Sequence, residues 1–309
     1  MVIQRAYFDV GGEQGTFFIK TEQDLTSAHN ILAQDERFKQ VQISPFIEGL
    51  SVSMLGCVTP QGVLTSPLQL QLIDIPEALH GQLATGVFLG HDWGFHSWED
   101  KTEHEAQYIV ESVGTYLADK GYKGIFGIDF IYEEQTKKLF PLECNPRFTG
   151  ALPVYSLMIL EQGKVPPMEF FHIAAHLGIK EPFDFEYVNK YLKKRQAISH
   201  ISLTPKGIYE MKLKLTAGVY SMLPDQNAIR YERPGALLSD ITNSSEFLMI
   251  DSVPYQGDRI IQNVPRLFKF IFASSIARSS LQVKPEVGRL LTSLSTALRK
   301  HQQPNDKST

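Results

Sequence analysis

Alternation with a period of two dominates the first half of the chain. Val2 through Phe8 reads as a strand and runs into Asp9-Val10-Gly11-Gly12-Glu13-Gln14-Gly15-Thr16. A second strand-like run follows, Phe17-Phe18-Ile19-Lys20, so the pattern predicts a hairpin closed by a glycine turn. Thr21 is placed to cap a helix, with Asp24 three residues on and Leu25, Ala28, Ile31 and Leu32 on one apolar face. Period two returns with Val41 and Ile43, then with Leu50, Val52 and Met54. Thr59-Pro60-Gln61-Gly62 turns the chain into Val63-Leu64-Thr65, and Leu68, Leu70 and Leu72 alternate with glutamines. These runs predict an antiparallel sheet with one polar face. Residues 102–119 read as a helix on Ile109, Val110, Val113 and Leu117, and Met168 to Leu177 as another. After Lys180 the chain gains charge, with Lys190, Lys193, Lys194 and Arg195. Short strands are predicted over 208–263, amphipathic helices over 265–279 and 285–300, and a disordered polar tail from Gln302.

The segment 121–148 carries the most chemistry. Gly121 to Tyr132 and Leu139 to Arg147 flank the polar turn Glu133-Glu134-Gln135-Thr136-Lys137-Lys138. A hairpin centred on Thr136 sets Asp129 opposite Glu143 and Gly127 opposite Asn145. Parity then assigns the faces. Phe126, Ile128, Phe130, Phe140, Leu142 and Cys144 fall on one apolar face, and Asp129, Glu143, Asn145 and Arg147 on the other. A slip of one residue would mix the two sets, which specifies the register. Like charges directly across a strand pair repel by a few tenths to about 1 kcal/mol. A hard divalent cation would relieve that repulsion, since Mg²⁺ prefers carboxylate and phosphate oxygens; the alternative is a surface hairpin whose carboxylates diverge into water.

Composition narrows the function classes. The 309 residues are 43% hydrophobic and 21% charged, as in an ordinary globular protein of about two domains. With 30 basic against 34 acidic residues and a net charge of −4, the basic footprint of a nucleic-acid binder is missing. No apolar run approaches the length of a membrane span. Two cysteines, Cys57 and Cys144, make no disulfide framework and point to a reducing cytoplasm. Cys144 is expected to face the core rather than act as a nucleophile.

Other residues carry two readings each. The glycine loop is either a flexible hairpin tip or a set of backbone amides able to approach an anion; its spacing is not that of a Walker A or dinucleotide fingerprint. His91 and His96 flank an acid but lack a third soft ligand, which favours a loop that packs or contacts substrate over a metal site. Gln69 and Gln71 are expected on a solvated strand face rather than at the border of an acceptor pocket, and His172 and His176 in ordinary helix packing.

The order of glycine-rich hairpin, helix, hinge segment, helix, and then Gly127-Ile128-Asp129-Phe130 with Glu143-Cys144-Asn145-Pro146-Arg147 resembles the ATP-grasp superfamily of carboxylate–amine ligases. The resemblance implies an α+β chain. An ATP-grasp-like nucleotide-binding fold of antiparallel sheets with flanking helices would cover residues 1–180, an α+β lobe 181–300, and a disordered tail 301–309. It further implies that Asp129, Glu143 and Asn145 hold Mg²⁺, with Mn²⁺ as an alternative, on the phosphates of ATP. Arg147 would stabilise negative charge on the transferred phosphoryl group or on a carboxylate substrate. Gly11, Gly12, Gln14 and Gly15 would form a flap over the phosphates, and Arg5 would stand where a lysine is usual. Ser44, Pro45, Phe46 and Ile47 would be the hinge that reads the adenine edge. The implied partners are a small carboxylate and an amine, with no nucleic acid and no membrane. Two departures are visible: Ser51 stands where a ribose-binding carboxylate is usual, with Glu48 a poor substitute, and the family's substrate lobe ahead of the flap is missing. A truncated gene model, a second copy or separate chain supplying that lobe, and a degenerate member all remain open. So do a non-catalytic nucleotide-binding or assembly module, and a kinase or carboxylase built on the same site.

Overall fold

The computed structural model describes residues 1–5, 15–34, 40–79, 86–179, 182–204, 209–223, 228–260, 266–296 and 298–300. The glycine-loop residues Gly11, Gly12 and Gln14 and the tail 301–309 lie outside these.

A small antiparallel sheet opens the chain, with β1 (Val2–Arg5) between β2 (Thr16–Phe18) and, after helix α1 (Glu22–Ala33), β3 (Val41–Ser44). Helix α1 starts where the sequence predicts, at a reciprocal cap. Asp24 N donates to Thr21 Oγ1 (3.1 Å), and Thr21 N donates to Asp24 Oδ2 (2.8 Å).

The rest of the described chain builds one large antiparallel sheet, with a three-stranded and a two-stranded sheet beside it. Its first strands are β4 (Leu50–Thr59), β5 (Gly62–Thr65), β6 (Gln69–Ile73) and β7 (Phe88–Asp92). Helix α2 (Asp100–Asp119) leads into the hairpin β8 (Gly124–Glu133) and β9 (Lys138–Asn145), followed by α3 (Leu152–Gln162), α4 (Met168–Leu177) and α5 (Phe185–Leu192). Then come β10 (Ser199–Leu203), β11 (Tyr209–Met211), β12 (Gly218–Leu223), β13 (Ala228–Arg233), β14 (Glu246–Ile250), β15 (Arg259–Ile260) and β16 (Leu267–Phe272). The chain ends its described course with β17 (Ala277–Ser279), β18 (Gln282–Val283), α6 (Pro285–Thr296) and β19 (Leu298–Lys300). The large sheet runs β13-β12-β14-β16-β10-β7-β6-β4-β8-β9, with β5 paired to β4, so the strands after residue 180 form one half of it, those before residue 180 the other, and the two meet where β10 pairs with β7.

Both faces of that sheet are covered, which explains the strand patterns. Val52, Met54, Leu70, Phe126, Phe130, Phe247 and Phe270 pack on one side with residues of α2 and α6. Leu55, Cys57, Ile125, Leu248 and Ile271 pack on the other with α3, α4 and α5. Helix α2 closes on the sheet along a stripe four residues apart, Thr102, Ala106, Val110 and Gly114. Gly56 beneath it is obligatory, because a Cβ there would stand 2.4 Å from the Phe126 ring.

Three sequence expectations are corrected. The helix predicted over 265–279 is strand β16 followed by β17. Leu267, Phe268, Phe270, Ile271 and Phe272 are buried on both sides of the sheet, and such a run, interrupted only by Lys269, shows no period that separates strand from helix. The helix expected over 285–300 ends at Thr296, and Leu298–Lys300 pair with β11. In the β8–β9 hairpin, Gly127 pairs with Asn145 and Asp129 with Glu143, but a register shift after Asp129 sets Phe130 opposite Pro141. The extra residue at Leu142 is a β-bulge, and Leu142 is 58% exposed rather than facing the core. Cys144 is also exposed rather than in the core, on the edge strand β9.

Candidate active site

Register alone brings polar side chains into rows on the sheet face that α3, α4 and α5 cover. Glu143 (β9), Asp129 (β8), Ser53 (β4) and Gln69 (β6) pair in one row. Two residues further along β6, Gln71 pairs with His91 (β7), which pairs with His200 (β10). The two rows cross six neighbouring strands.

At the β9 end the donors and acceptors converge. Asn145 Nδ2 donates to Asp129 Oδ2 and to Glu143 Oε1, each at 3.0 Å. Gln71 Nε2 donates to Asp129 Oδ1 at 2.8 Å, and Arg147 Nη2 donates to Asn145 Oδ1 at 3.1 Å. Burial, the neighbouring Glu143 charge and a hydrogen bond with Glu143 push the Asp129 carboxyl up to about 7. The bond from Gln71 and the Arg147 charge oppose that rise. Among the described residues no three His, Cys, Asp or Glu side chains form a metal-holding group. The donor set is two carboxylates and one amide, an oxygen-rich but incomplete set of the kind Mg²⁺ takes when phosphate oxygens and water complete its shell. The residues present therefore fit that ion in the company of a phosphate ligand.

The other sequence-predicted positions lie in the small sheet and in the segment that links it to the large one. Arg5 ends β1, opposite Val41. Gly15 is buried at the start of β2, while Gly11, Gly12 and Gln14 lie outside the described residues. Ser44 ends β3, and Pro45, Phe46 and Ile47 link the small sheet to the large one. Phe46 is 55% exposed and packs edge-on against Phe18, with ring centroids 5.8 Å apart. Gly49 must be glycine at that junction, since a Cβ would meet the Tyr132 carbonyl oxygen at 2.4 Å. Ser51 is tied by its backbone amide to Ser280 Oγ (2.8 Å), and Glu48 is exposed.

Gln69 and His91 are placed otherwise than the sequence suggested, and His200 and Arg266 were not singled out from it. Gln69 is fully buried and donates to Ser53 Oγ at 3.1 Å, so the solvated face expected there does not exist. His91 lies on strand β7 rather than in a loop, and its Nδ1 stands 3.2 Å from His200 Nε2. Burial drives the His91 imidazole down to about 3, and the His200 imidazole well below its ordinary value, so both are neutral. The Arg266 guanidinium stacks over the Phe88 ring at 4.8 Å, and its affinity for protons falls through burial and the nearby Arg147 charge. Among the described residues neither arginine has a carboxylate partner within ion-pair distance. Parity of the β6 glutamines was the available signal for Gln71; Arg266 and His200 arrive from distant sequence and left none. Cys144 lies between Glu143 and Asn145 along β9, with its side chain exposed; partial desolvation of the thiol and the Asp129 and Glu143 charges raise it, which disfavours a nucleophilic thiolate.

Comparison with known proteins places the fold. Residues 3–151 match the family model described as the ATP-grasp domain. No curated protein matches the sequence. Among solved structures, the chain resembles carboxyaminoimidazole ribonucleotide synthase from Aspergillus clavatus complexed with ATP, at 12% identity and a TM-score of 0.55, covering 96% of this chain and 63% of that one. It also resembles biotin carboxylase from Campylobacter jejuni in its β-γ-ATP complex (15% identity, TM-score 0.55, 89% of this chain and 53% of that one). The biotin carboxylase domain of the 2-oxoglutarate carboxylase of Hydrogenobacter thermophilus, a dimer with MgADP, ADP and bicarbonate, is similar at 14% identity and a TM-score of 0.54. It too is matched over 89% of this chain and 53% of its own, so the chain spans little more than half the length of these structures. The family model and the structures agree on the architecture: residues 3–151 match an ATP-grasp domain model, and the chain shares its α+β fold with these structures.

Proposed function

We propose that the chain binds ATP with Mg²⁺ at Asp129, Glu143 and Asn145 and activates a carboxylate for attack by an amine. The convergence of two carboxylates on one carboxamide, with Gln71 and Arg147 bonded to the same group, carries this reading. The reaction balances as two steps. A carboxylate oxygen takes the γ-phosphoryl group of ATP, giving an acyl phosphate and ADP; the amine nitrogen then attacks the acyl carbon, and inorganic phosphate leaves as the amide forms. Bound Mg²⁺ would supply charge neutralisation on the β- and γ-phosphates.

The chain's own residues would do the rest. Asp129 and Glu143 offer the anionic oxygens, and Gln71 holds the Asp129 carboxylate in place. Arg147, tethered through Asn145, would meet the negative charge that develops on the transferred group or the carboxylate. Arg5 and the loop Gly11, Gly12, Gln14 and Gly15 would close over the phosphates. Ser44, Pro45, Phe46 and Ile47 would offer backbone groups to the adenine edge.

The test is incubation of the full chain with ATP, Mg²⁺ and panels of carboxylates and amines, following ADP and amide together. ADP that forms only when both acceptors are present, with matching amide, is the expected outcome. ADP without amide would make the protein a kinase or carboxylase on the same site. Ser51 in place of a ribose-binding carboxylate favours one further reading, a nucleotide-binding module without turnover. Acceptor-stimulated ADP release would remove it.

A further inference from the structure

Arg147 has a second neighbourhood. A cleft of about 540 Å³ lies against it, lined by Tyr122, Lys123, Pro146, Phe148, His172 and His176 among others. Asn145 stands opposite Gly127, so Arg147 emerges two positions further along, beyond the level of the metal-ligand candidates. The cleft wall Ile125 is four residues from Asp129 on the same face of β8, about 13 Å at the rise of a strand. The cleft is therefore a neighbour of the proposed nucleotide site and not part of it.

Its lining is basic and aromatic, with no carboxylate. Lys123 is exposed on the turn that precedes β8, and among the described residues no ion pair claims it. His172 accepts the Ile125 amide through Nδ1 at 3.0 Å, which fixes the neutral tautomer and leaves Nε2–H as a donor. Gly124 is shaped around that imidazole: its φ is +85°, and a Cβ there would stand 2.1 Å from Nδ1. His176 follows one helical turn later, with ring centroids 4.5 Å apart, and Phe148 packs edge-on against His172 at 4.8 Å. The acid on α4 that acts on His172, Glu169, is engaged by the Ser156 hydroxyl.

We propose that this cleft binds the oxyanion end of a small molecule, a carboxylate or phosphate carried on a flat apolar group, between Lys123, Arg147 and the two imidazoles. The cations supply the charge, the ring N–H groups directional donors, and Tyr122 and Phe148 the walls for the apolar part. In the ligase reading the ligand would be a reactant waiting beside Arg147, but the site stands on its own lining whether or not that reading holds.

The experiment is an NMR titration of the full chain, read at the histidine ring protons, with benzoate, phenyl phosphate and inorganic phosphate as probes. Saturable shifts of His172 and His176 are expected from benzoate or phenyl phosphate, and the one that saturates at lower concentration names the anion. Lys123→Ala should weaken that binding about tenfold, the worth of one charge-assisted hydrogen bond, and His176→Gln should weaken it as well. Glu143→Ala should leave it unchanged while removing Mg²⁺-dependent nucleotide binding, which separates failure of this site from failure of the nucleotide reading. Absence of saturation with all three probes, or unchanged affinity in Lys123→Ala, would overturn the proposal.

Discussion

Burial and the Glu143 carboxylate together hold the Asp129 carboxyl near 7, while Asn145 and Gln71 donate into the pair. The opposite sign holds at His91 and His200, whose imidazoles burial keeps neutral, the former down to about 3. In the unfolded chain a histidine titrates near 6.5. Folding stability is then fully present above that pH and is lost as pH falls toward 3, at up to about 1.4 kcal/mol per pH unit for each histidine. Urea unfolding between pH 4 and 7 should show that slope, and His91→Gln with His200→Gln should flatten it; an unchanged slope in the double variant would contradict the buried neutral pair. Asp129, Glu143 and Asn145 were legible in the sequence because a strand's parity fixes which side chains share a face. His200 was not, because its partner His91 is 109 residues away and only the strand order brings them together.

Turns decide the geometry at the next scale. Gly124 has a left-handed backbone and no room for a side chain beside His172. Gly124→Ala should cost roughly 1–3 kcal/mol, from strain in the backbone and displacement of the imidazole. Chemical denaturation measures it, and a loss below the error of the method would show that the turn can relax. The β8–β9 hairpin was read correctly at its Asp129–Glu143 end, since the acids and the apolar set could be separated only by that register. The bulge at Leu142 was invisible, because an inserted residue on an edge strand changes no local pattern that a sequence displays. Strand β16 was mistaken for a helix for a related reason: burial on both faces removes the polar half of the alternation. Helix α3 was missed because most of its residues are buried, leaving no polar stripe to mark a period.

On the scale of the molecule, the large sheet joins β7 to β10 and thereby couples the two halves of the chain. The core on one of its faces mixes Val52, Leu70 and Phe130 with Phe247, Phe270 and Leu291. A piece ending at residue 180 would leave the β7 edge unpaired and that core half-built. It should lack a cooperative urea transition and near-ultraviolet circular dichroism; a cooperative transition in the piece would mean that the first half folds by itself. The small sheet of β1, β2 and β3 connects to this body through the hinge ending at Gly49, and the proposed nucleotide would lie where the two meet. The claim on which the whole reading depends is that Asp129, Glu143 and Asn145 hold Mg²⁺ against the phosphates of ATP. Calorimetric titration of ATP into the full chain, with and without Mg²⁺, tests it in wild type and in Glu143→Ala. Mg²⁺ should tighten ATP binding in the wild type by at least about tenfold, or ~1.4 kcal/mol, and the variant should lose that gain while still folding; an equal gain in both proteins would contradict it.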